Sequence, residues 1–505
     1  MIAPRLRAVC DLQMPAAREN AGLHEYDGRV ADLSPDGVKA CLAGLGGPPL
    51  DDAHDEAHLT AFEGYLRVVF DELALHRRNP RLLLANLDVS SYAREYAPAH
   101  ERAEALRRHV AGWPDAIDAG LDSLDAVPAP TAAALLPSAR GLAEPLGTGT
   151  PEEAAAHAAH GRFVAHLERA AASGDPDPAL GGRPLARLLG APEAMAVTLD
   201  DLLARAERER ERLDALLTDA CGRVLPGVGV RAAMRQLTSD HPDAGGVLDA
   251  ATDLTDEVLA FTAERGLVGH VTEGVVRVAP SPPSRRWATA MISWAAPFEP
   301  DGPSFYLITP PDPSWTPERQ DGWLAAFSHT SLPATTAHEV APGHFTHSRM
   351  LREAPGDVRK ALHSPAFVEG WAHYGEELLV EEGFRAEDPR YAAGVAMKAL
   401  LRVVRLIVSI GVHSRAMGLD EAVRLFERHA HLRAPAAEAE ANRATFDPTY
   451  GRYTWGKLVI RDLRDEARRR WGAGFSLARF HRALLDLGAP PLGLARAALD
   501  DAPFV

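Results

Sequence analysis

The stretch Thr336-Ala-His338-Glu339-Val-Ala-Pro342-Gly343-His344-Phe-Thr-His347 places two histidines six positions apart, and a glutamate directly follows the first of them. In an ideal α-helix each residue turns the chain by about 100°, so a step of four leaves two side chains about 40° apart, whereas a step of six leaves them about 240° apart. An unbroken helix therefore cannot direct both imidazoles to one point. Pro342 lacks an amide hydrogen and its ring clashes with the carbonyl four residues back, while Gly343 tolerates almost any backbone angle. The sequence predicts a bulge or break at Pro342-Gly343 that makes the two histidines converge.

Histidine and glutamate in this order are the components of a zinc site. In the pattern H-E-x-x-H, two histidines on one helical face bind zinc, and the glutamate handles the proton of a water molecule. A buried cluster of ionisable groups is costly unless it has a purpose, which favours a metal over a purely structural role. We therefore predict that His338 and His344 bind Zn²⁺ and that Glu339 is a general base.

A second motif, Glu369-Gly-Trp371-Ala-His373-Tyr374-Gly-Glu376-Glu377-Leu378, is predicted to be helical. Glu369, His373 and Glu376 are separated by steps of four and three, so they share one helical face. Catalytic zinc commonly takes two histidines and one glutamate and keeps a fourth position for water, which makes Glu369 the predicted third ligand. His373 or His347 would replace it if Glu369 were only an ion-pair residue. Glu376 is predicted to hold a ligating imidazole in place.

Length, charge and cysteine content limit the function classes. The chain has 505 residues, of which 46% are apolar, and this is enough for a large globular core. A formal net charge of -16 argues against a nucleic-acid partner, since such binding depends on clustered Lys and Arg. The apolar run 399–413 is interrupted by two arginines and is too short to span a bilayer, and the first residues lack signal-peptide character. Because the three cysteines are also widely spaced, we expect a cytoplasmic protein without membrane contact.

Apolar periodicity predicts a mainly α-helical fold. In the first half of the chain, helical patterns cover residues 55–76, 100–124, 154–172 and 199–217. Two short segments rich in β-branched and aromatic residues, 287–294 and 304–309, are predicted strands. We place a mainly helical N-terminal lobe at residues 1–285 and a zinc-site catalytic lobe at residues 286–505, joined as one unit that contains a cleft.

Together the two motifs resemble the bacterial family grouped as domain of unknown function 885, whose members carry H-E-x-x-P-G-H followed by E-G-W-A-x-Y-x-E-x-L. The likeness continues through 402–413, Tyr453-Thr-Trp-Gly456-Lys457 and 475–488. The resemblance implies a relation to the gluzincin zinc metallopeptidases, in the layout of angiotensin-converting enzyme and the thermostable carboxypeptidases. Such a fold is large, helical and two-lobed, with a deep cleft and a small β-sheet at its edge. The chain departs from the family at Ser409, where Asp is usual, and at Pro448-Thr449-Tyr450, where P-G-Q is usual.

The resemblance implies a hydrolase that cleaves peptide bonds of short peptides with metal-activated water and Glu339 as general base. A phenol hydroxyl is a good donor to the developing oxyanion, and Tyr453 is the first candidate for this role, with Tyr450 second. Residues 304–309 could be an edge strand that pairs with the substrate backbone. Arg443 is either a clamp for a terminal carboxylate or a structural ion-pair residue.

Two alternatives from other function classes remain open at this stage. The same metal and glutamate could serve a zinc amidohydrolase or tailoring enzyme that acts on a non-peptide amide, because function resides in the pocket and not in the fold. A non-catalytic binding protein could also retain the fold, although an intact Glu339 has little use there. The motifs leave the cleavage direction, the residue preference and the oligomeric state open.

Overall fold

The computed structural model describes residues 2–269, 274–282, 285–286 and 288–500. This part of the chain is mainly α-helical, which confirms the predicted fold class. The helices of the first half are α1 (Pro4–Leu12), α2 (Met14–Ala16), α3 (Pro35–Ala43), α4 (Ala53–Arg67), α5 (Arg81–Leu87), α6 (Ala99–Ala111), α7 (Trp113–Ser123), α8 (Ala129–Gly141), α9 (Pro151–Ser173), α10 (Gly182–Gly190), α11 (Leu199–Val224), α12 (Val230–Ser239) and α13 (Val247–Glu264).

The helical segments predicted in this half are confirmed by α4, α6, α7, α9 and α11. Local capping explains where they begin. The side chain of Asp52 accepts a hydrogen bond from the backbone N–H of Asp55 at the start of α4. Before α9, Thr150 and Glu153 form a reciprocal capping box. Such caps satisfy amide groups that a helix leaves without internal partners.

Within the described residues the sheet has three strands, β1 (Val276–Pro280), β2 (Ala290–Ser293) and β3 (Ser304–Ile308), in the order β1-β3-β2. Strands β2 and β3 confirm the two predicted segments, although Trp287, the first residue predicted in one of them, lies outside the described residues. The prediction that 304–309 is an edge strand is wrong. Strand β3 is central, because β1 pairs with it in parallel and β2 pairs with it in antiparallel fashion, so its backbone groups are already used.

The helices after the sheet are α14 (Pro317–Leu324), α15 (Leu332–Glu339), α16 (His344–Glu353), α17 (Asp357–Ala361), α18 (Pro365–Glu381), α19 (Arg390–His413), α20 (Leu419–His429), α21 (Ala434–Ala444), α22 (Arg452–Trp471) and α23 (Leu477–Leu485). Ser364 caps α18 by accepting from the backbone N–H of Phe367, and Pro365 follows at the first helical position. The hydroxyl of Tyr306 on β3 lies 3.3 Å from that of Thr336 on α15, so the sheet supports the helix that carries His338.

Buried apolar side chains of the described residues gather in two large clusters. One cluster joins residues 2–188 with residues 358–362, and the other extends from residue 185 to residue 499. Helix α17 therefore packs with the N-terminal helices, whereas α16 and α18 on either side of it contribute to the second cluster. The start of α18 lies at the boundary between the two cores. The lobe boundary at residue 285 stays a prediction.

Helices α18 and α22 meet at two glycines. A Cβ atom on Gly456 would lie 1.9 Å from the carbonyl oxygen of Ala366, and one on Gly370 would lie 2.5 Å from the backbone of Gly456. Only glycine allows such an approach of two helix backbones. The contact fixes the position of α18, which carries Glu369, relative to α22, which carries Tyr453.

Candidate metal centre

The chain between α15 and α16 breaks at the predicted place. Helix α15 ends at Glu339, and Val340 leaves the helical region with φ -109° and ψ -89°. The backbone N–H of Gly343 then donates to the carbonyl of Ala337, and that of Thr346 donates to the carbonyl of Val340. Each bond reaches back six residues, whereas a regular α-helix reaches back four. The bulge thus accommodates two extra residues. This is the difference between the six-residue step from His338 to His344 and the four-residue step that places two side chains on one helical face.

Neighbouring side chains hold this bulge in place. The indole N–H of Trp371 donates to the carbonyl of Pro342 at 2.8 Å. Pro342 also packs against Gly375, where an added Cβ would lie 3.0 Å from the proline ring. Both contacts come from α18, so the helix that supplies the predicted third ligand also fixes the bulge between the first two.

His338, His344 and Glu369 converge. Their potential ligand atoms all lie within 4.8 Å of one another, and they form the one such metal-competent group among the described residues. The Nε2 atoms of His338 and His344 lie 3.5 and 3.4 Å from Oε2 of Glu369. The two imidazoles are nearly perpendicular, with ring centroids 4.7 Å apart. Glu369 keeps 24% of its side chain exposed, so the group is open to solvent on that side.

These separations fit zinc. Two ligand atoms about 2.0–2.1 Å from a tetrahedral zinc ion are about 3.3–3.4 Å apart, and catalytic zinc commonly takes two histidines and a carboxylate. The observed histidine–carboxylate distances of 3.4 and 3.5 Å agree with this value and exceed the usual length of a hydrogen bond. The donor set and these two separations are therefore compatible with zinc.

Glu376 supports His338 from the other side of the ring. Its Oε1 lies 2.7 Å from Nδ1 of His338, which donates to it and leaves Nε2 free to face Glu369. Arg402 donates to both carboxylate oxygens of Glu376 at 2.7 and 2.8 Å, and the carboxylate is fully buried. The predicted contact between Glu376 and the imidazole of a candidate ligand, His338, is thus present. Within the described residues, Nδ1 of His344 has no such partner.

The carboxylates set the charge of the group. Burial and Arg402 favour the neutral form of His338, but the neighbouring carboxylates of Glu369 and Glu376 outweigh them and raise its pKa to about 9. Burial alone would raise the pKa of Glu369, yet His338 and His344 hold it well below its usual value. Without metal, His338 is therefore protonated at neutral pH and is paired with ionised carboxylates.

The two alternative histidines lie elsewhere. Burial lowers the pKa of His347 to about 3, and its Nε2 lies 3.1 Å from the carbonyl oxygen of Gly488. Burial likewise lowers the pKa of His373 to about 3, and Arg402 donates to its Nδ1 at 3.2 Å. Neither histidine belongs to the converging group, whose third member is Glu369.

Glu339 lies beside the group with its carboxylate unengaged. It is 9% exposed, and no other described residue forms a hydrogen bond or ion pair with it. Lys398 on α19 is close enough for the charge of Glu339 to act on it. Burial lowers the pKa of Lys398 to about 8, with Arg402 adding to the effect, while Glu376 and Glu339 oppose it.

Sequence reasoning did not assign Lys398 or Arg402 to the site. They lie one turn apart on α19, so they share a helical face. The available signal was the pair of arginines that interrupts the apolar run 399–413. A charge within a buried helix needs a partner, and for Arg402 that partner is Glu376.

Tyr453 and Tyr450 have different surroundings. The ring of Tyr453 stacks on His338 with centroids 6.3 Å apart, and its hydroxyl makes no hydrogen bond with another described residue. Burial raises the pKa of Tyr453, and the charge of Glu369 raises it further, so the phenol remains a proton donor. Tyr450 is fully buried and its hydroxyl donates to the carbonyl of Glu440. The structure therefore presents Tyr453, and not Tyr450, to the group.

Arg443 forms an ion pair with Asp447 at 3.0 Å, as one of its two predicted roles requires. At the sheet, β2 also lies near the group. It lies at an edge of the sheet and leads into Trp294, whose ring centroid is 6.2 Å from that of His344. Residues 304–309 were predicted to pair with a substrate backbone as an edge strand. The edge strand close to His344 is β2.

A family model described as a bacterial protein of unknown function, DUF885, matches residues 15–499. The chain belongs to the DUF885 family. In this DUF885 chain the hydroxyl of Ser409 donates to the carbonyl of Pro448, which joins α19 to the segment 448–450. Neither Ser409 nor Pro448 belongs to the converging group.

Two solved structures resemble this DUF885 protein over nearly their whole length. A protein from Shewanella oneidensis, described as a candidate lipoprotein of unknown function, is 20% identical, with 97% of each chain covered and a TM-score of 0.76. A candidate lipoprotein from Colwellia psychrerythraea is 18% identical, with 99% of each chain covered and a TM-score of 0.75. No curated protein matches the chain. At these identities the likeness establishes a shared fold.

Proposed function

We propose that this DUF885 protein is a zinc-dependent hydrolase that cleaves peptide bonds in short peptides. The observation that carries the proposal is the convergence of His338, His344 and Glu369 with histidine–carboxylate distances of 3.4 and 3.5 Å. The relation to the gluzincin peptidases, inferred from the motifs, supports the same reading. The ligating imidazoles are recessed, with 7% and 8% of their side chains exposed, which suits an extended short chain better than a folded protein.

The protein's own residues divide the chemistry between them. Zinc bound by the three ligands would supply Lewis acidity and lower the pKa of a water molecule to about 7. The carboxylate of Glu339 takes the proton from the water oxygen as the C–O bond forms, and returns it to the amine nitrogen as the C–N bond breaks. The hydroxyl of Tyr453 donates to the oxyanion that develops on the carbonyl oxygen. Glu376 and Arg402 keep the imidazole of His338 oriented throughout.

The test combines metal analysis with peptide profiling. The purified protein should hold about one zinc per chain and should cleave a mixed library of short peptides, with cleavage sites identified by mass spectrometry. His338→Ala should lose the metal. Glu339→Gln should keep the metal and lower kcat/KM about 100–10,000-fold, because only the proton carrier is removed.

Each alternative function has its own outcome in this test. Hydrolysis of acyl-amides without hydrolysis of any peptide would support the amidohydrolase alternative. Zinc binding with no difference between wild type and Glu339→Gln on any substrate would support a binding protein. A His338→Ala protein with a full complement of zinc would overturn the ligand assignment itself.

We further propose that the protein acts in the cytoplasm. The free cysteines Cys10, Cys41 and Cys221 support this location, since disulfide-rich frameworks are typical of exported proteins. Among the described residues, no helix has the length and apolar character needed to cross a membrane. Cell fractionation followed by detection of the native protein tests the proposal, and recovery in the membrane fraction would contradict it.

A further inference from the structure

A cavity of about 300 Å³ lies between the N-terminal helices and the beginning of α18. Ligand pockets in proteins generally range from about 300 to 1,000 Å³, so this volume suffices for a small organic group. Most of its wall is apolar, and it is formed by residues far apart in the chain, among them Phe62, Leu66, Val69, Phe70, Leu188 and Trp455. We call this space the apolar cavity.

The apolar cavity adjoins the metal centre on two sides. Ala366 lines it and lies three residues before Glu369, so the two share a face of α18. On the other side, His363 and Asn20 line the cavity. The ring of Trp294 lies 6.4 Å from that of His363 and 6.2 Å from that of His344, and its N–H donates to the carbonyl of Asn20. The rings of His363 and Trp294 thus lie in succession between the cavity and the proposed ligand His344.

Solvent can enter the cavity, because Ala16, Asn20 and Ala85 line it and are exposed. A ligand could therefore reach the cavity without unfolding the helices around it.

The polar groups deeper in the wall already have partners. The side chain of Asn86 exchanges two hydrogen bonds with the backbone of Ala31. Arg452 is paired with Asp447 at 2.9 Å. Glu193 accepts from the hydroxyl of Ser364 at 2.7 and 2.8 Å. These groups are engaged within the protein, and the rest of the wall is mostly apolar, so a charged ligand group would lose its hydration with little compensation.

We propose that the apolar cavity is the specificity pocket for a large, uncharged apolar group of the substrate, an aliphatic or aromatic side chain or acyl group next to the cleaved amide. This inference rests on the proposed function, since it names the substrate class for the same site. It follows from the volume, the mostly apolar wall, the engaged polar groups, and the proximity of the cavity to Glu369 through Ala366 and to His344 through His363 and Trp294. The occupant reaches the cavity while its neighbouring carbonyl lies at the metal centre.

The test uses straight-chain hydroxamates, which chelate zinc at one end and carry an alkyl chain at the other. Calorimetric titration of the zinc-loaded protein with acetohydroxamate, hexanohydroxamate and decanohydroxamate gives the gain in affinity with chain length. We expect about fourfold tighter binding for each methylene that enters the cavity. Ala85→Trp and Ala16→Trp each place a large ring at the rim and should abolish most of this gain. Ala172→Trp, at an exposed helical position of α9 away from the cavity, is the matched control and should keep it.

The outcomes separate the pocket from the metal. An affinity that does not change with chain length, or a gain that persists in both rim variants, would overturn the inference. The same titration of His338→Ala tests the proposed function independently. If acetohydroxamate binds this variant as tightly as wild type, the metal site is wrong, while a chain-length gain that the rim variants remove would still identify the pocket.

Discussion

Gly343→Ala tests the bulge directly, because it changes the backbone there without replacing any of the three predicted ligands. In the native backbone the added Cβ would lie 1.9 Å from the carbonyl oxygen of His338 and 2.5 Å from that of Ala337. The first distance is about 1.5 Å short of the 3.4 Å at which ordinary van der Waals contact begins. Both obstacles are backbone atoms, so no side-chain rotation relieves the overlap, and the residue that must move is a predicted ligand.

A displacement of about 1 Å is several times the tolerance of a metal–ligand bond, which is about 0.2 Å. We therefore expect Gly343→Ala to weaken zinc binding by more than about 100-fold and to lower the free energy of unfolding by about 1–3 kcal/mol. Chelator competition measures the first quantity, and urea unfolding of the metal-free protein measures the second. Gly161→Ala is the matched control, since it lies in α9 with open space around it and should be neutral or slightly stabilising. A folded Gly343→Ala protein with wild-type zinc affinity would refute the role of the bulge.

Three further predictions concern the surroundings of the ligands. Glu376→Gln should weaken zinc binding about 10–100-fold in chelator competition, since it removes the charge that orients His338. The control Glu440→Gln alters a similar buried pair with Arg405 and should leave zinc binding unchanged. Equal effects of the two variants would contradict the prediction. Tyr453→Phe should lower kcat/KM about 100–1,000-fold at full zinc occupancy, while Tyr450→Phe should not, and an unchanged rate in Tyr453→Phe would remove it from the chemistry. Because the pKa of His338 is about 9 without metal and zinc binds the neutral ring, binding at pH 7 should release about one proton and strengthen about tenfold per pH unit up to pH 9. Calorimetry in buffers of different ionisation enthalpy measures this release, and its absence would contradict the pKa.

The features predicted correctly are those encoded by residues close together in the chain. The break at Pro342-Gly343 follows from the chemistry of two adjacent residues, and the shared face of Glu369 and Glu376 follows from helical periodicity. Both are local consequences of backbone geometry. The sequence also indicated Glu369 as the third member of the converging group, because two histidines and one glutamate are a common donor set for zinc.

The features that were missed or wrong depend on pairing between distant segments. The place of β3 in the sheet is decided by β1, whose weak pattern at residues 276–280 did not mark it as a strand. Arg402 reaches Glu376 only through the packing of α19 on α18, which no spacing within one segment reveals. The apolar cavity combines residues from both ends of the chain, so no local window contains it.

The crossing of α18 and α22 at Gly370 and Gly456 has a consequence for motion. Two backbones in direct contact have no intervening side chains whose rotamers could change. The two helices therefore hold Glu369 and Tyr453 at a fixed separation. If the proposed function holds, substrates of different size would not be accommodated by a change in the distance between Glu369 and Tyr453. Any adjustment would then fall to other elements, such as the N-terminal helices, whose apolar core is separate.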